Sequence, residues 1–310
     1  MVFGYAWDMI GKTYYIENPA YLNIELDQLV IRLAEGNKET RPLDDAGMLI
    51  IDHPQVTLTS PLLQALSQNQ VGLVVCNQKH LPCGIWLPLS GHIQTGGRSR
   101  VQLESSKPLN KQLWQATVKA KIYNQGLVLK KRKQHSAFLD KLYSSIRSGD
   151  TTNGEATAAA YYWKHWLDGN PDFRRDPEGE PPNHLLNFGY AVLRSMTARY
   201  LIGSGLWPVY GIFHKNQYNP LPLADDLMEP YRPFVDDLVL DIVQDRPDLA
   251  FDHFLGKEVR NRLLTIQYVD VAFQGKTRPL QVAVQLSCAS LVRAYEEKSS
   301  SQVLFPTLIS

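Results

Sequence analysis

Tyr21-Leu22-Asn23-Ile24-Glu25-Leu26-Asp27-Gln28-Leu29-Val30-Ile31-Arg32-Leu33 decides the class of the first part of this chain. Apolar and polar side chains alternate through Leu26, as on a strand whose successive side chains point to opposite faces. Gln28 to Leu33 alternates less strictly. Toward the N-terminus, Thr13-Tyr14-Tyr15-Ile16 is β-branched and aromatic, and Pro19 interrupts the chain after it. Toward the C-terminus a turn is expected at Glu35-Gly36-Asn37. Met48-Leu49-Ile50-Ile51-Asp52 and Val71-Gly72-Leu73-Val74-Val75-Cys76 are short continuous apolar runs of the kind buried strands show. Between them, Thr59-Ser60 and Pro61 are placed to cap a short helix through Leu66. Residues 1–95 are thus predicted to form a small β-sheet domain containing one helix.

The pattern then changes. Residues 91–106 hold Gly96-Gly97 and serines with little apolar content, and 96–106 are expected to be a linker. Helical periodicity appears in 111–123, 155–167 and 185–202, the last ended by Gly203-Ser204-Gly205. A further acidic helix is expected from about Leu223, kinked or broken by Pro230 and Pro233. Residues 170–182, with four prolines and four acids, read as a surface loop, and 298–310 as a loosely ordered tail. The predicted class is α+β: a small N-terminal β-sheet domain (1–95), a linker (96–106) and a larger all-helical C-terminal domain (107–310).

Composition excludes several classes. Hydrophobic residues make up 44% and charged residues 20% of the 310, as in a globular protein with a real core. No apolar run approaches the ~20 residues of a membrane span, and Met1 to Asp8 lack the basic and apolar regions of a signal peptide. A cytoplasmic protein is expected. Cys76, Cys83 and Cys288 match neither a disulfide framework nor zinc-ligand spacing, and are expected to be buried or half-buried thiols.

Residues 211–236 carry the chemistry. His214 ends an apolar run, with Asp225, Asp226 and Glu229 after it; Asp226 and Glu229, three apart, share a helix face. Glu155 lies far upstream, at the start of an Ala-rich helix whose dipole favours an acid there. Buried together, unpaired carboxylates would be costly, and a cation is the remedy. One imidazole with two or three carboxylates suits Mg²⁺ or Mn²⁺. The later acids, Asp236, Asp237, Asp241, Asp245 and Asp248, read as a solvated face. Net charge is near zero, yet residues 107–150 are strongly basic and Lys130, Lys131, Arg132 and Lys133 form an unbroken run that attracts polyanions. Arg174, Arg175, Arg194, Arg199 and Arg232 add fork-shaped phosphate binders. Acids for a metal beside bases for phosphates suit phosphodiester chemistry.

The run from His214 through Asn219-Pro220-Leu221, Leu223-Ala224-Asp225-Asp226-Leu227-Met228-Glu229-Pro230-Tyr231-Arg232-Pro233 and Val235-Asp236 resembles the signature of the CRISPR-associated integrase, the large subunit of the CRISPR adaptation machinery. Glu155 with the Ala-rich run and Tyr162-Trp163 resembles that family's first acidic motif, and residues 186–193 the helix between them. Pro42-Leu43-Asp44-Asp45 before a strand fits as well. The compact length and the Glu-His-Glu set look most like members that accompany single-protein effector nucleases, the type II systems.

The resemblance implies that Glu155, His214 and Glu229 are catalytic metal ligands for Mg²⁺ or Mn²⁺, with Asp226 an acidic position beside them. It implies an N-terminal domain that dimerises, giving a homodimer, and a partner in the small ferredoxin-like adaptation subunit. An effector nuclease is a further partner of such systems. The substrates implied are DNA, both a captured fragment and the CRISPR repeat, with joining by transesterification. Lys130 to Lys133, Arg194, Arg199 and Arg232 are the expected DNA contacts. A stand-alone metal-dependent DNA endonuclease and a non-catalytic DNA-binding scaffold are the alternatives. The charged loop at 168–182 departs from the family pattern.

Overall fold

A computed structural model describes residues 11–309 apart from 35, 89–91 and 171. The N-terminal segment Met1 to Asp8, Glu35 of the expected turn, Gly91 of the apolar-poor stretch before the expected linker and Pro171 of the charged loop lie outside the described residues. The chain divides into two compact units, residues 1–95 and 96–310.

The first unit holds β1 (Lys12–Ile16), β2 (Ala20–Glu25), β3 (Gln28–Leu33), β4 (Lys38–Pro42), β5 (Ala46–Ile51), β6 (Val56–Leu58), α1 (Ser60–Gln68), β7 (Gly72–Cys76) and β8 (Pro82–Trp86). They make two four-stranded sheets, ordered β1-β5-β7-β8 and β4-β3-β2-β6. β5 pairs in parallel with both β1 and β7 and is buried along its whole length, which is why it reads as a continuous apolar run. β2 and β3 form an antiparallel hairpin. Leu26, expected to be strand, instead sits in the turn with Asp27, both at positive φ (49° and 58°), and is almost fully exposed. A two-residue hairpin loop needs that backbone to match the strand twist. Leu22, Leu29, Leu49, Leu62 and Leu66 form the centre of this unit's core. Thr59 caps α1 as expected, accepting from Leu62 N.

The second unit holds α2 (Thr95–Leu103), α3 (Lys107–Lys131), α4 (Ala137–Ser145), α5 (Gly154–Trp166), α6 (Asn183–Gly203), α7 (Pro222–Met228), α8 (Arg232–Asp245), α9 (Pro247–Ala250), α10 (Lys257–Leu264), β9 (Asp270–Phe273), β10 (Lys276–Pro279), α11 (Leu280–Glu296) and β11 (Thr307–Leu308). The expected linker is therefore largely helical. Gly and Ser make α2 a poor helix by propensity, but tertiary bonds hold it: buried Gln102 donates to Trp207 O and Tyr210 O and accepts from Trp207 N, each at 3.0 Å. α3, 25 residues long, contributes Leu113, Trp114, Val118, Ile122 and Val128 to the core.

This larger region is helical as expected, with one addition: a three-stranded sheet ordered β10-β9-β11. Gln274 (φ 51°) and Gly275 (φ 73°) turn the β9–β10 hairpin. The tail expected to be loose is tied down in β11. Leu308 is buried, and its N–H donates to Asn124 Oδ1 (3.1 Å). The prolines act as anticipated: a 3₁₀ turn, Glu229–Tyr231, separates α7 from α8. Cys288 is buried and Cys76 half-buried as expected, but Cys83, on the edge strand β8, is exposed. No helix among the described residues is long and apolar enough to cross a membrane.

Candidate functional site

Asp150 builds the start of α5. Its two carboxylate oxygens accept from Gly154 N (2.8 Å) and Glu155 N (2.9 Å), satisfying donors that a helix start leaves open. A Cβ at Gly154 would meet Ile146 Cδ1 at 2.3 Å and Asp150 Oδ1 at 3.1 Å, so a larger residue there would have to push the Ile146 side chain aside. Glu155 then projects from the first turn. Glu229 opens the 3₁₀ turn between α7 and α8 and is only 5% exposed. α3 brings Lys121 to both: its Nζ lies 2.6 Å from Glu155 Oε1 and 2.6 Å from Glu229 Oε2. Arg232 Nε donates to Glu229 Oε1 at 2.8 Å. Burial pushes the Glu229 carboxyl upward, but Arg232 and Lys121 overcome this and hold it at about 2. Burial opposes the charge of Lys121, yet Glu229 and Glu155 keep it above the ordinary lysine value.

His214 stands in the segment between α6 and α7. Its Nδ1 is 2.5 Å from Asp226 Oδ1, and fully buried Asp226 also accepts from Phe213 N (2.9 Å) and His214 N (3.3 Å). The turn is tight: a Cβ at Gly211 would lie 2.4 Å from His214 O. Phe213 stacks on Trp114 with 4.4 Å between ring centroids, which steadies the segment. The Asp226 hydrogen bond raises the His214 pKa above that of a free imidazole, against burial, and the charges of Asp226, Glu229 and Glu155 add to it. The three predicted ligands thus act on one another electrostatically.

Among the described residues no three Asp, Glu, His or Cys side chains stand together as a ready metal cage. The carboxylates converge instead on the Lys121 ammonium. Lys121 makes an ion pair with Glu229 Oε2, an oxygen that has no hydrogen bond. In kind the donors fit a divalent cation: two carboxylate oxygens already share one positive charge, and a carboxylate anchors Nδ1 of the imidazole, leaving Nε2 free to ligate.

Asp226 and Glu229 are both buried as the shared face suggested, but they have different partners: Asp226 holds His214, and Glu229 meets the two cations. The acids beyond them are not all solvated. Asp236 (1% exposed) accepts from Tyr162 and Tyr190 hydroxyls, and burial pushes its pKa up to about 7. Asp237 is also buried, paired with Lys131 and Arg132. Both acids lie on the side of α8 that packs inward, a direction composition cannot reveal.

Among the expected DNA contacts, Lys130 pairs with Asp140, and Lys131 and Arg132 with Asp237, Arg132 also reaching Asp241. Lys133 lies at the positive-φ end of the run. Arg194 is held by Asp225 and Asn219, Arg199 lies over Tyr200, and Arg232 serves Glu229. Sequence reasoning missed Lys121 and Asn124. Buried Asn124 donates to Pro230 O (2.9 Å) and Pro306 O (3.1 Å), fixing the turn that carries Glu229. A polar stripe of Lys121, Asn124 and Gln125 inside an otherwise buried helix was the available signal.

The family model described as CRISPR associated protein Cas1 matches residues 13–265. A CRISPR-associated endonuclease Cas1 of Neisseria meningitidis is 33% identical over 303 residues, covering 97% of each chain. A second, from Pyrobaculum aerophilum, is 25% identical over 278 residues, 86% of this chain and 92% of that one. A Cas1 protein from Thermotoga maritima has the same fold, at a TM-score of 0.73 and 17% identity over 92% of this chain and 97% of that one. So does a casposase bound to integration product, at a TM-score of 0.74 and 19% identity over 93% and 91%. With a family match over most of its length and a relative this similar end to end, the chain belongs to the Cas1 family of CRISPR-associated proteins.

Proposed function

We propose that this chain is a metal-dependent DNA integrase of CRISPR adaptation. The observation that carries the reading is the convergence of Glu155 and Glu229, from elements 74 residues apart in the chain, on a single positive charge with His214 in their field. The 3′-hydroxyl of a captured DNA fragment attacks a phosphodiester at the edge of the CRISPR repeat. A bond forms from that oxygen to phosphorus, the bond from phosphorus to the repeat's 3′-oxygen breaks, and the hydroxyl proton ends on the departing oxygen by way of solvent. One phosphodiester replaces another, so no ATP is needed.

Glu155, Glu229 and Nε2 of His214 would hold Mg²⁺ or Mn²⁺, which supplies a lowered hydroxyl pKa and offsets charge in the transition state. Asp226 fixes the tautomer and direction of His214; we assign it to positioning rather than ligation. Arg232 holds Glu229 ionised. Arg194, Arg199 and Lys130 to Lys133 contribute to binding DNA through its phosphates.

The unit at 1–95 is assigned to homodimerisation. A Cas6-RT-Cas1–Cas2 complex shares the fold over 98% of this chain and 37% of its own, at a TM-score of 0.75, which supports a small Cas2-type partner. The compact length and the Glu-His-Glu set support membership of a type II system in the cytoplasm, with an effector nuclease selecting fragments.

A strand-transfer assay tests the reading. The protein, its small partner, a short duplex with free 3′-hydroxyls and a repeat-bearing plasmid are mixed with Mn²⁺ or Mg²⁺. Joined product that disappears with Glu229→Ala, and with 3′-dideoxy fragments, supports integration. Cleavage without joining, indifferent to the 3′ end, points to an endonuclease; joining that survives Glu229→Ala removes the site from the chemistry.

A further inference from the structure

A cavity of about 150 Å³ is lined by the cations Lys121, Arg175 and Arg232, by Tyr190, and by two acids, Glu229 and Asp236. Drug-sized ligands occupy roughly 300–1,000 Å³, so this space suits a group the size of one phosphate and not a nucleoside. Its cations are arranged on an aromatic ring: the guanidinium carbons of Arg232 and Arg175 lie 4.5 Å and 5.3 Å from the Tyr190 ring centroid.

The two arginines differ in their partners. Arg232 commits Nε to Glu229, and no other acceptor among the described residues takes its terminal nitrogens. Arg175 makes no ion pair among the described residues, and the charge of nearby Asp236 acts on it only through space. It donates to two neutral amide oxygens, Asn183 Oδ1 (3.1 Å) and Asn187 Oδ1 (2.7 Å). Burial works against the charge of this guanidinium, and the amides orient it without pairing it, so a bound anion would offset the cost of burying it. The loop that carries it is fixed: Phe173 packs on Trp166 (4.9 Å between centroids), and Asn183 Nδ2 donates to Arg174 O (3.0 Å). Gln125, 2% exposed, also faces this space with an unpartnered Oε1, and a half-turn of its amide presents the NH₂ instead.

We propose that Arg175 and Arg232, gathered on Tyr190, seat one phosphate group of a DNA strand immediately beside Glu229. The charged loop that departs from the family pattern is thereby a substrate-binding element. The proposal rests on the reading of this chain as a DNA-acting enzyme, and specifies which phosphate contact lies next to its carboxylate.

The test reads binding, in EDTA, and so does not depend on joining. A short fluorescent duplex with a single-stranded 3′ extension is titrated at several salt concentrations against wild type, Arg175→Gln and Arg175→Lys. Losing one phosphate contact lowers the log–log salt slope by about 0.7 on a single strand and about 0.9 on a duplex. That drop is expected for Arg175→Gln, with Arg175→Lys retaining most of the wild-type slope. Neutral methylphosphonate linkages are then scanned along the extension. One position is expected to weaken wild type and to have no effect on Arg175→Gln; this scan on the wild-type protein holds even if a variant folds poorly. An unchanged slope in a folded Arg175→Gln, or a scan with no such position, overturns the proposal. So does a result in which inorganic phosphate binds wild type and not the variant while DNA binding is indifferent to both, because the seat then serves the free anion. Normal phosphate seating without joined product would leave the seat intact and defeat only the integrase reading.

Discussion

Replacing Lys121 with Met removes the one cation that Glu155 and Glu229 share while keeping the length of the side chain. Glu229 is held at about 2 instead of the ordinary 4.5, a gap worth about 3 kcal/mol. Arg232 and Lys121 share that effect, and the carboxylate's side chain is only 7% exposed, so solvent relieves little of the loss. Glu155, at 22%, is relieved more. Breaking a buried pair from one side typically costs about 3–5 kcal/mol; about 3 kcal/mol is expected here. For a unit of this size that lowers the melting temperature by about 6–12 °C. Because the folded pKa of Glu229 lies below its unfolded one, the stabilisation is complete above about pH 4.5 and is lost as pH falls toward 2. The deficit of Lys121→Met should therefore shrink in acid. Thermal melts at pH 7 and pH 4, with and without millimolar Mn²⁺, measure all of this. Mn²⁺ should stabilise Lys121→Met more than wild type, since the carboxylates then lack their internal cation, and adding Glu229→Gln should abolish the difference. A variant that melts like wild type at pH 7, or equal Mn²⁺ shifts in both, would refute the reasoning.

Burial depresses the His184 imidazole from 6.5 to about 4; the unfolded chain takes up that proton first, so stability should fall as pH drops between those values, by well under about 3 kcal/mol because solvent screens the partly exposed ring, and denaturant titrations of His184→Leu should show a shallower fall. Asp226→Asn should lower the His214 pKa, read by NMR titration of the ring in metal-free protein, because the hydrogen bond to Asp226 is the main cause of its elevation. Asp236 is raised from 3.8 to about 7 by burial, so its charge disfavours the fold as pH climbs through that range; Asp236→Asn should be the more stable protein at pH 8, by up to about 4 kcal/mol, with the gap closing toward pH 4. Asn124→Ala strips partners from Pro230 O, Pro306 O and Leu308 N; at about 1–3 kcal/mol for each buried group left unpaired, a loss of at least about 3 kcal/mol is expected in urea melts.

The strands of the first unit were legible because burial there obeys chain-local rules: β5 is covered on both sides and reads as unbroken apolar sequence, while β2 alternates. Glu155, His214 and Glu229 stood out because their residue types fit a motif, and the structure accounts for two of them by burial and ion pairing. What escaped was set by partners distant in the chain. α2 has helix-poor glycines and is held by Gln102 bonding more than a hundred residues away. Lys121 looks like any helix lysine until α5 and the 229–231 turn close on it. Asp236 looked like one more member of an acidic face, since nothing local tells that Tyr162 and Tyr190 cover it. The β11 strand was missed because it is only two residues long and exists through its pairing with β9.

Asn124 joins residues 182 and 184 positions away to the backbone beside Glu229. A chain made from its N-terminus releases residues 306–308 long after Asn124 and the 229–231 turn. The turn that carries Glu229 therefore lacks this support until that segment has been made. The same wiring makes β11 a poor place to attach anything that pulls on it, and a good place for a probe that reports when the turn has closed.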